Sequence, residues 1–166
     1  MSPERINEPN QDRLKSEKPF SCIAVAVDGS ESSFRAAKYA ARLAKRYESK
    51  LLIVSVIQKP VHAFIRTPIE RSSASRMEHY YEYASKNAEE WNRKVAALAR
   101  SIGVNAESRV LKDASIVKAI TEYGLKQKVD LIVVGRKGTS GFKRLLLGSV
   151  STGIVNHAAS TVLVVK

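Results

Sequence analysis

Four small residues near the carboxyl end have the types and spacing to hold an anion: Gly135, Gly138, Gly148 and Ser149, in the pattern G-x2-G-x9-G-S. Glycine has no Cβ, so a backbone carrying Gly135 and Gly138 can bring its N–H groups close to a ligand. Gly148 and Ser149 stand where a helix opens, and the free amides and dipole of a helix N-terminus attract phosphate. Ser149 is expected to cap that helix, and the hydroxyls of Ser149 and Ser151 are each expected to donate one more hydrogen bond. Near the other end, Asp28-Gly29-Ser30 follows an apolar run and supplies a carboxylate at a turn. The glycine pattern is neither a Walker A loop nor a G-x-G-x-x-G, which removes the main support for the standard kinase, GTPase and dehydrogenase readings.

These residues need elements to position them. Phe20 to Val27 reads as a buried strand, and Ser30 as the cap of a helix on which Phe34, Ala37, Ala41, Ala44 and Tyr47 fall at helical spacing. Ser33 stands where a capping box would have Glu or Gln, so the box is incomplete. Leu51 to Ile57 is a second buried strand, closed by Lys59-Pro60, and residues 58–74 read as an irregular connection. Met77, Tyr81, Ala84, Ala88, Trp91, Val95 and Leu98 form one apolar stripe on a helix ending near Gly103. Val104 to Leu111 reads as a third strand and Ala114 to Gln127 as a helix. Asp130 to Gly135 is a strand, a last helix carries Val150, Ile154 and Ala158, and Thr161 to Val165 closes the chain as a strand. Strand and helix alternate throughout, which argues for an open, mostly parallel sheet. Such sheets bind ligands outside the carboxyl ends of their strands, where strand order reverses. If the first and fourth strands are neighbours about that reversal, the Asp28 turn and the glycine loop share one crevice.

Charge narrows the partners. The net charge is +12, which attracts polyanions such as phosphometabolites, nucleic acids and acidic membranes. Residues 1–20 hold four basic and four acidic side chains, so the excess belongs to residues 21–166; from Leu131 to Lys166 there are five basic residues and no acidic one. The single cysteine, Cys22, excludes an internal disulfide and a cysteine-based zinc site, and reads as an inert apolar group in a reducing interior. No run approaches the length of a membrane span and the polar start lacks a signal-peptide core, so a cytoplasmic protein is expected. His62, His79 and His157 lack metal-ligand spacing, Trp91 belongs to the core stripe, and no Ser-His-acid set can be nominated.

With its glycine motif, the aspartate after its first strand, the Leu145-Leu-Leu-Gly-Ser-Val150 run and the closing Val162-Leu-Val-Val165, the chain resembles the universal stress proteins. It is similar to the subclass that keeps G-x2-G-x9-G-(S/T) and is associated with ATP. The resemblance runs from about Ser21 to Lys166. It implies a nucleotide-binding domain over residues 21–166, with residues 1–20 as a flexible tail outside it. The implied fold is α/β, an open five-stranded, mostly parallel sheet of order 3-2-1-4-5 with helices on both faces, in homodimers joined through the last strand. Carried over by position, Val27, Asp28 and Val54 approach the adenosine. Val134, Gly135, Arg136 and Gly138 line the loop, and Gly148, Ser149, Val150 and Ser151 hold the phosphates.

Arg136 and Lys137 depart from the smaller residue and the histidine common between the first two glycines of the family. With Lys143 and Arg144 they can offset the roughly four negative charges of ATP, subject to screening by salt. Asp28 beside the same phosphates implies an intervening Mg2+ or a ribose hydroxyl. The implied function is that of an adenine-nucleotide-responsive regulator in stress response, acting on a protein partner. Catalysis is expected to be at most slow ATP hydrolysis or self-phosphorylation, because no motif residue is an evident base for water. The competing reading, from the charge, is a basic module that binds nucleic acid or an acidic surface without ATP. No RNP-type, C2H2 or helix-turn-helix signature supports sequence-specific reading.

Overall fold

The structure, a computed structural model, describes residues 18–59, 70–138 and 147–166, with side chains from Met77 onward in the helix that begins at residue 70. The elements are β1 (Cys22–Ala26), α1 (Glu31–Tyr47), β2 (Lys50–Gln58), α2 (Glu70–Ser101), β3 (Ala106–Asp113), α3 (Ile116–Lys126), β4 (Leu131–Gly135), α4 (Ser149–His157) and β5 (Thr161–Val165). The strands form one sheet of order β3-β2-β1-β4-β5, and every adjacent pair is parallel. The expected fold class is therefore the observed one.

Alternation along each strand explains why the runs are apolar on both faces. Ile23, Val25, Leu51, Ile53, Leu131 and Val133 bury one face of the sheet together with residues of α1 and α2. Ala24, Leu52, Val54, Ile132 and Val134 bury the other against Ile120 of α3 and Ile154 of α4. Full burial of an Ile or Leu side chain contributes about 1.5–3 kcal/mol over leaving it exposed, so these two layers hold the sheet. Five alanines of α1, Ala36, Ala37, Ala40, Ala41 and Ala44, are buried, which lets that helix lie close to the strands. β3 is the polar exception, with Glu107, Ser108 and Arg109 exposed, as suits an edge strand.

One boundary differs from expectation. The second helix begins at Glu70 rather than near Met77, so residues 70–74 of the expected irregular connection are helical. Its first two turns, Glu70-Arg-Ser-Ser-Ala-Ser-Arg76, carry no apolar period by which a helix could be recognised. Its buried ridge also includes a polar residue, Asn92. The Ser55 hydroxyl lies 2.8 Å from both Asn92 Oδ1 and the Val27 carbonyl oxygen, and Asn92 Nδ2 donates to the Arg109 carbonyl, so no polar group of this ridge is stranded.

The topology fixes where the ends of the strands go. β1 and β4 are neighbours, with Ala24 opposite Ile132, although α1, β2, α2, β3 and α3 separate them in sequence. The order reverses between these two strands, so the turn leaving β1 and the loop leaving β4 emerge side by side at the carboxyl edge.

Candidate functional site

The turn after β1 is tied to the helix it starts through Asp28, Ser30 and Ser33. Asp28 Oδ1 accepts from the Ser30 amide at 3.0 Å, and the Ser30 side chain, the N-cap of α1, accepts from the Ser33 amide at 3.1 Å. Ser33 Oγ donates to the Ser30 carbonyl and accepts from the Asp28 amide. Where a capping box would use Glu at N3, this turn uses Asp28 and Ser33 together. Gly29 has φ +80°, and a Cβ built on it would stand 2.3 Å from the Trp91 ring, so only glycine fits. The indole of Trp91 packs on this turn and on the α1/α2 layer, as the core reading expected.

The loop after β4 is stitched to the same helix. The Lys137 amide donates to Ser32 Oγ and the Lys137 carbonyl accepts from Ser30 Oγ at 3.5 Å. A Cβ on Gly135 would meet Ser32 at 2.6–2.8 Å, two of the contacts being main chain. The need for glycine at 135 is thus close packing of β4 on α1, where the sequence alone suggested approach of a ligand. At Gly138 a Cβ would stand 2.8 Å from Asp28 Oδ2, which makes these two residues the facing walls of a narrow mouth.

The N-terminus of α4 is built differently. Its N-cap is Gly148, with no side-chain hydrogen bond to the first turn, and Ser149 is the first helical residue, which corrects the expectation that Ser149 caps the helix. Thr152 is the first residue whose amide reaches back, to the Gly148 carbonyl at 2.9 Å, so the amides of Ser149, Val150 and Ser151 have no acceptor within the helix. The Gly148 amide donates to the Arg136 carbonyl at 2.8 Å, fixing the start of the helix on the β4 loop. Ser151 is buried and its hydroxyl donates to the Gly135 carbonyl at 2.7 Å, so its single proton is committed to the scaffold. Ser149 is exposed.

Between these segments lies a cleft of about 540 Å3, within the range of small-molecule sites. Val27, Asp28 and Val54 line it from β1 and β2, and Val134, Gly135 and Gly138 from β4 and its loop. Gly148, Ser149, Val150 and Ser151 line it from α4. Arg136 is the nominated residue that does not line it. Of the four loop cations considered at the sequence level, Lys137 lines the cleft, and Lys143 and Arg144 lie outside the described residues, as do His62 and residues 1–17.

A further wall was missed. Ser115, Ile116, Val117 and Ile120 at the start of α3, with Val56 and Gln58 on β2, also line the cleft. Ile116, Val117 and Ile120 look like ordinary core positions in sequence, and only the crossover topology carries them to the cleft. The available signal was Ala114-Ser115 after a strand, which marks another helix start at the carboxyl edge. The result is a divided site: an apolar portion made by Val54, Val56, Ile116 and Ile120, and a polar portion made by Asp28, Lys137, Gly138 and the open turn of α4. The thiol of Cys22 is remote, at the first residue of β1 and away from this edge, and burial pushes its pKa up, as expected of an inert group.

A five-stranded parallel α/β domain with an anion-suited crevice at its switch point defines a class, and comparison supplies the family. Residues 19–166 match the universal stress protein family, to which this chain belongs. It is 33% identical over 150 residues to universal stress protein MJ0531 of Methanocaldococcus jannaschii, spanning 90% of this chain and 84% of that one. Its fold is that of universal stress protein UspA from Lactobacillus plantarum, with a TM-score of 0.74 at 23% identity over 88% of this chain and 97% of that one. Two further structures share the fold at lower likeness. One is a universal stress protein in complex with cAMP (TM-score 0.62, 24% identity, 89% and 98% covered). The other, from Archaeoglobus fulgidus, is in complex with dAMP (TM-score 0.60, 18% identity, 87% and 97% covered). Among the described residues no helix is long and apolar enough to cross a membrane.

Proposed function

We propose that the cleft binds an adenine nucleotide, ATP in particular, and that occupancy makes the chain a nucleotide-responsive regulator in the cytoplasm. The observation that carries this is the uncapped N-terminus of α4, whose three free amides open onto the cleft beside Gly138. An apolar slot beside a cluster of N–H donors suits a nucleotide, whose base is flat and apolar and whose other end is anionic. The cAMP and dAMP complexes of fold relatives support the adenine end of this assignment.

In this reading Val54, Val56, Ile116 and Ile120 cover the base, and Gly138, Ser149, Val150 and Ser151 present main-chain N–H groups to the phosphates. Lys137 adds positive charge. The cleft fits a phosphate-borne Mg2+ better than a resident one. Among the described residues Asp28 is the one carboxylate lining it, and no three His, Cys, Asp or Glu side chains cluster to hold a metal. Mg2+ is commonly held by phosphates plus one or two carboxylates, so Asp28 would be its protein ligand here. Because Asp28 Oδ1 already accepts from Ser30, the carboxylate serves position rather than activation of water.

The homodimer belongs to the same proposal. β5 is an edge strand on which Val162, Leu163 and Val164 remain half-exposed, an unfinished apolar edge that a second copy completes. Calorimetric titration tests the site: ATP binds with micromolar affinity, and Gly138→Val, which crowds Asp28 and blocks the backbone, abolishes the heat. Unchanged affinity in that variant overturns the assignment of the loop.

A further inference from the structure

The outer face of α1 carries a charge arrangement that the nucleotide cleft does not use. Over Glu31–Tyr47 there are five cations, Arg35, Lys38, Arg42, Lys45 and Arg46, and one carboxylate, Glu31. All five cations are exposed, and Tyr39 in their midst is 51% exposed. Arg35, Lys38, Tyr39, Arg42 and Arg46 recur at steps of three and four or are adjacent on the same side, so they form one stripe about 16 Å long at ~1.5 Å per residue.

Helix stability does not account for this stripe. Lys45 and Arg46 sit in the last turn, where cations suit the dipole, but Lys38 and Arg42 do not. The pairs Lys38/Arg42 and Arg42/Arg46 place like charges at i,i+4, an arrangement that destabilises a helix. On α2 the same spacing is filled with opposite charges: Lys86 meets Glu82 at 2.8 Å and Lys94 meets Glu90 at 2.6 Å. On α1 Arg35 meets Glu31 at 2.6 Å, and among the described residues no carboxylate lies within 4.0 Å of Lys38, Arg42, Lys45 or Arg46.

We infer that this face of α1 binds single-stranded nucleic acid, its cations on successive phosphates and Tyr39 stacked on an unpaired base. A cationic track interleaved with an exposed aromatic is the means by which proteins hold single strands without reading sequence. An acidic membrane fits less well. The apolar side of α1 is buried on the sheet, and Tyr39 is the one large apolar side chain the helix exposes, which leaves nothing to insert among lipids. The inference is independent of the nucleotide site, because of the residues of α1 only Ser33 lines the cleft.

The test is fluorescence anisotropy of the full chain with a labelled single-stranded oligonucleotide of about 20 bases. At ~0.7 in log–log salt slope per phosphate contact, the stripe's four cations (Arg35, Lys38, Arg42 and Arg46) weaken binding about fifty-fold from about 50 to about 200 mM salt. The triple variant Lys38→Glu, Arg42→Glu, Arg46→Glu loses binding at the lower salt. The new carboxylates face Arg35 and Lys45 at i,i+3, which offsets their own like-charge pairs at i,i+4, so the variant keeps its thermal midpoint, and it keeps its ATP titration because none of the three residues lines the cleft. Tyr39→Ala weakens binding about five-fold or more while Tyr39→Phe does not. An equal loss on reversing Lys112, Lys126 and Lys128 instead would reduce the effect to net charge and overturn the inference. So would an absence of oligonucleotide binding, with or without binding to phosphatidylserine vesicles.

Discussion

Two helices begin at the mouth of the same cleft, and their first turns are finished in opposite ways. At α1 the Ser30 side chain caps the Ser33 amide, Asp28 holds the Ser30 amide, Gly29 fits under Trp91, and the turn is stitched to Lys137. At α4 the cap is a bare glycine, and the amides of three cleft-lining residues have no acceptor within the helix. α3, which also lines the cleft, follows the α1 pattern, with Ser115 accepting from the Lys118 amide. A helix start can carry a side-chain cap or lack one, and among the helix starts described with their side chains only that of α4 lacks one. Substitutions at the closed end should therefore act on stability, and those at the open end on affinity.

The largest expected effect lies at the closed end. Gly29→Ala forces a left-handed φ on a residue with a Cβ, about 1–2 kcal/mol, and drives that Cβ into the Trp91 ring, typically about 1–3 kcal/mol more. At roughly 2–4 °C per kcal/mol for a chain of this size, the thermal midpoint falls by about 5–15 °C in a calorimetric scan. A shift under about 2 °C would show that the turn is not held by the indole.

At the open end the signs should separate. Gly148→Asp supplies the side-chain cap that α4 lacks, a gain of about a few tenths of a kcal/mol over glycine, and puts a carboxylate where the phosphates sit. The cap's gain offsets the crowding of a Cβ 3.3 Å from the Arg136 carbonyl, so the thermal midpoint stays within about 3 °C while ATP affinity falls about ten-fold or more, because the amides are taken and the charge repels. An affinity loss that tracked a stability loss would erase the distinction between the two ends.

The smallest effect is the reciprocal one. Ser30→Ala removes the α1 cap and costs about 1 kcal/mol of stability. It leaves ATP affinity within about three-fold, less than 1 kcal/mol, because the Asp28–Ser30 main-chain contact survives. A loss of affinity larger than the loss of stability would mean that α1, rather than α4, holds the phosphates.

The contrast also explains what was legible in the chain. β1, β4 and β5 stand out as unbroken apolar runs because both faces of the sheet are covered, and they fall within two residues of expectation. The start of α2 does not, because Glu70 to Arg76 has no apolar period. Within the site, the glycines were visible as a spacing but their reasons were not. Gly135 answers to Ser32 across the β4/α1 contact and Gly148 is itself the cap, and both facts depend on which elements become neighbours. Ser151 was nominated for a phosphate, yet its proton goes to the Gly135 carbonyl. The wall from α3 was invisible for a similar reason: Ile116 and Ile120 cover the sheet like any core residue until the order 3-2-1-4-5 brings them to the edge of the cleft.

The most direct test watches those amides themselves. In a 15N-labelled sample titrated with Mg-ATP, the backbone N–H signals of Ser149, Val150 and Ser151 should move together and saturate, with Gly138 following and Ser33 almost still. If Ser149 to Ser151 stay in place while ATP binds elsewhere, or if saturating nucleotide moves no signal at all, the open turn of α4 is not the phosphate site.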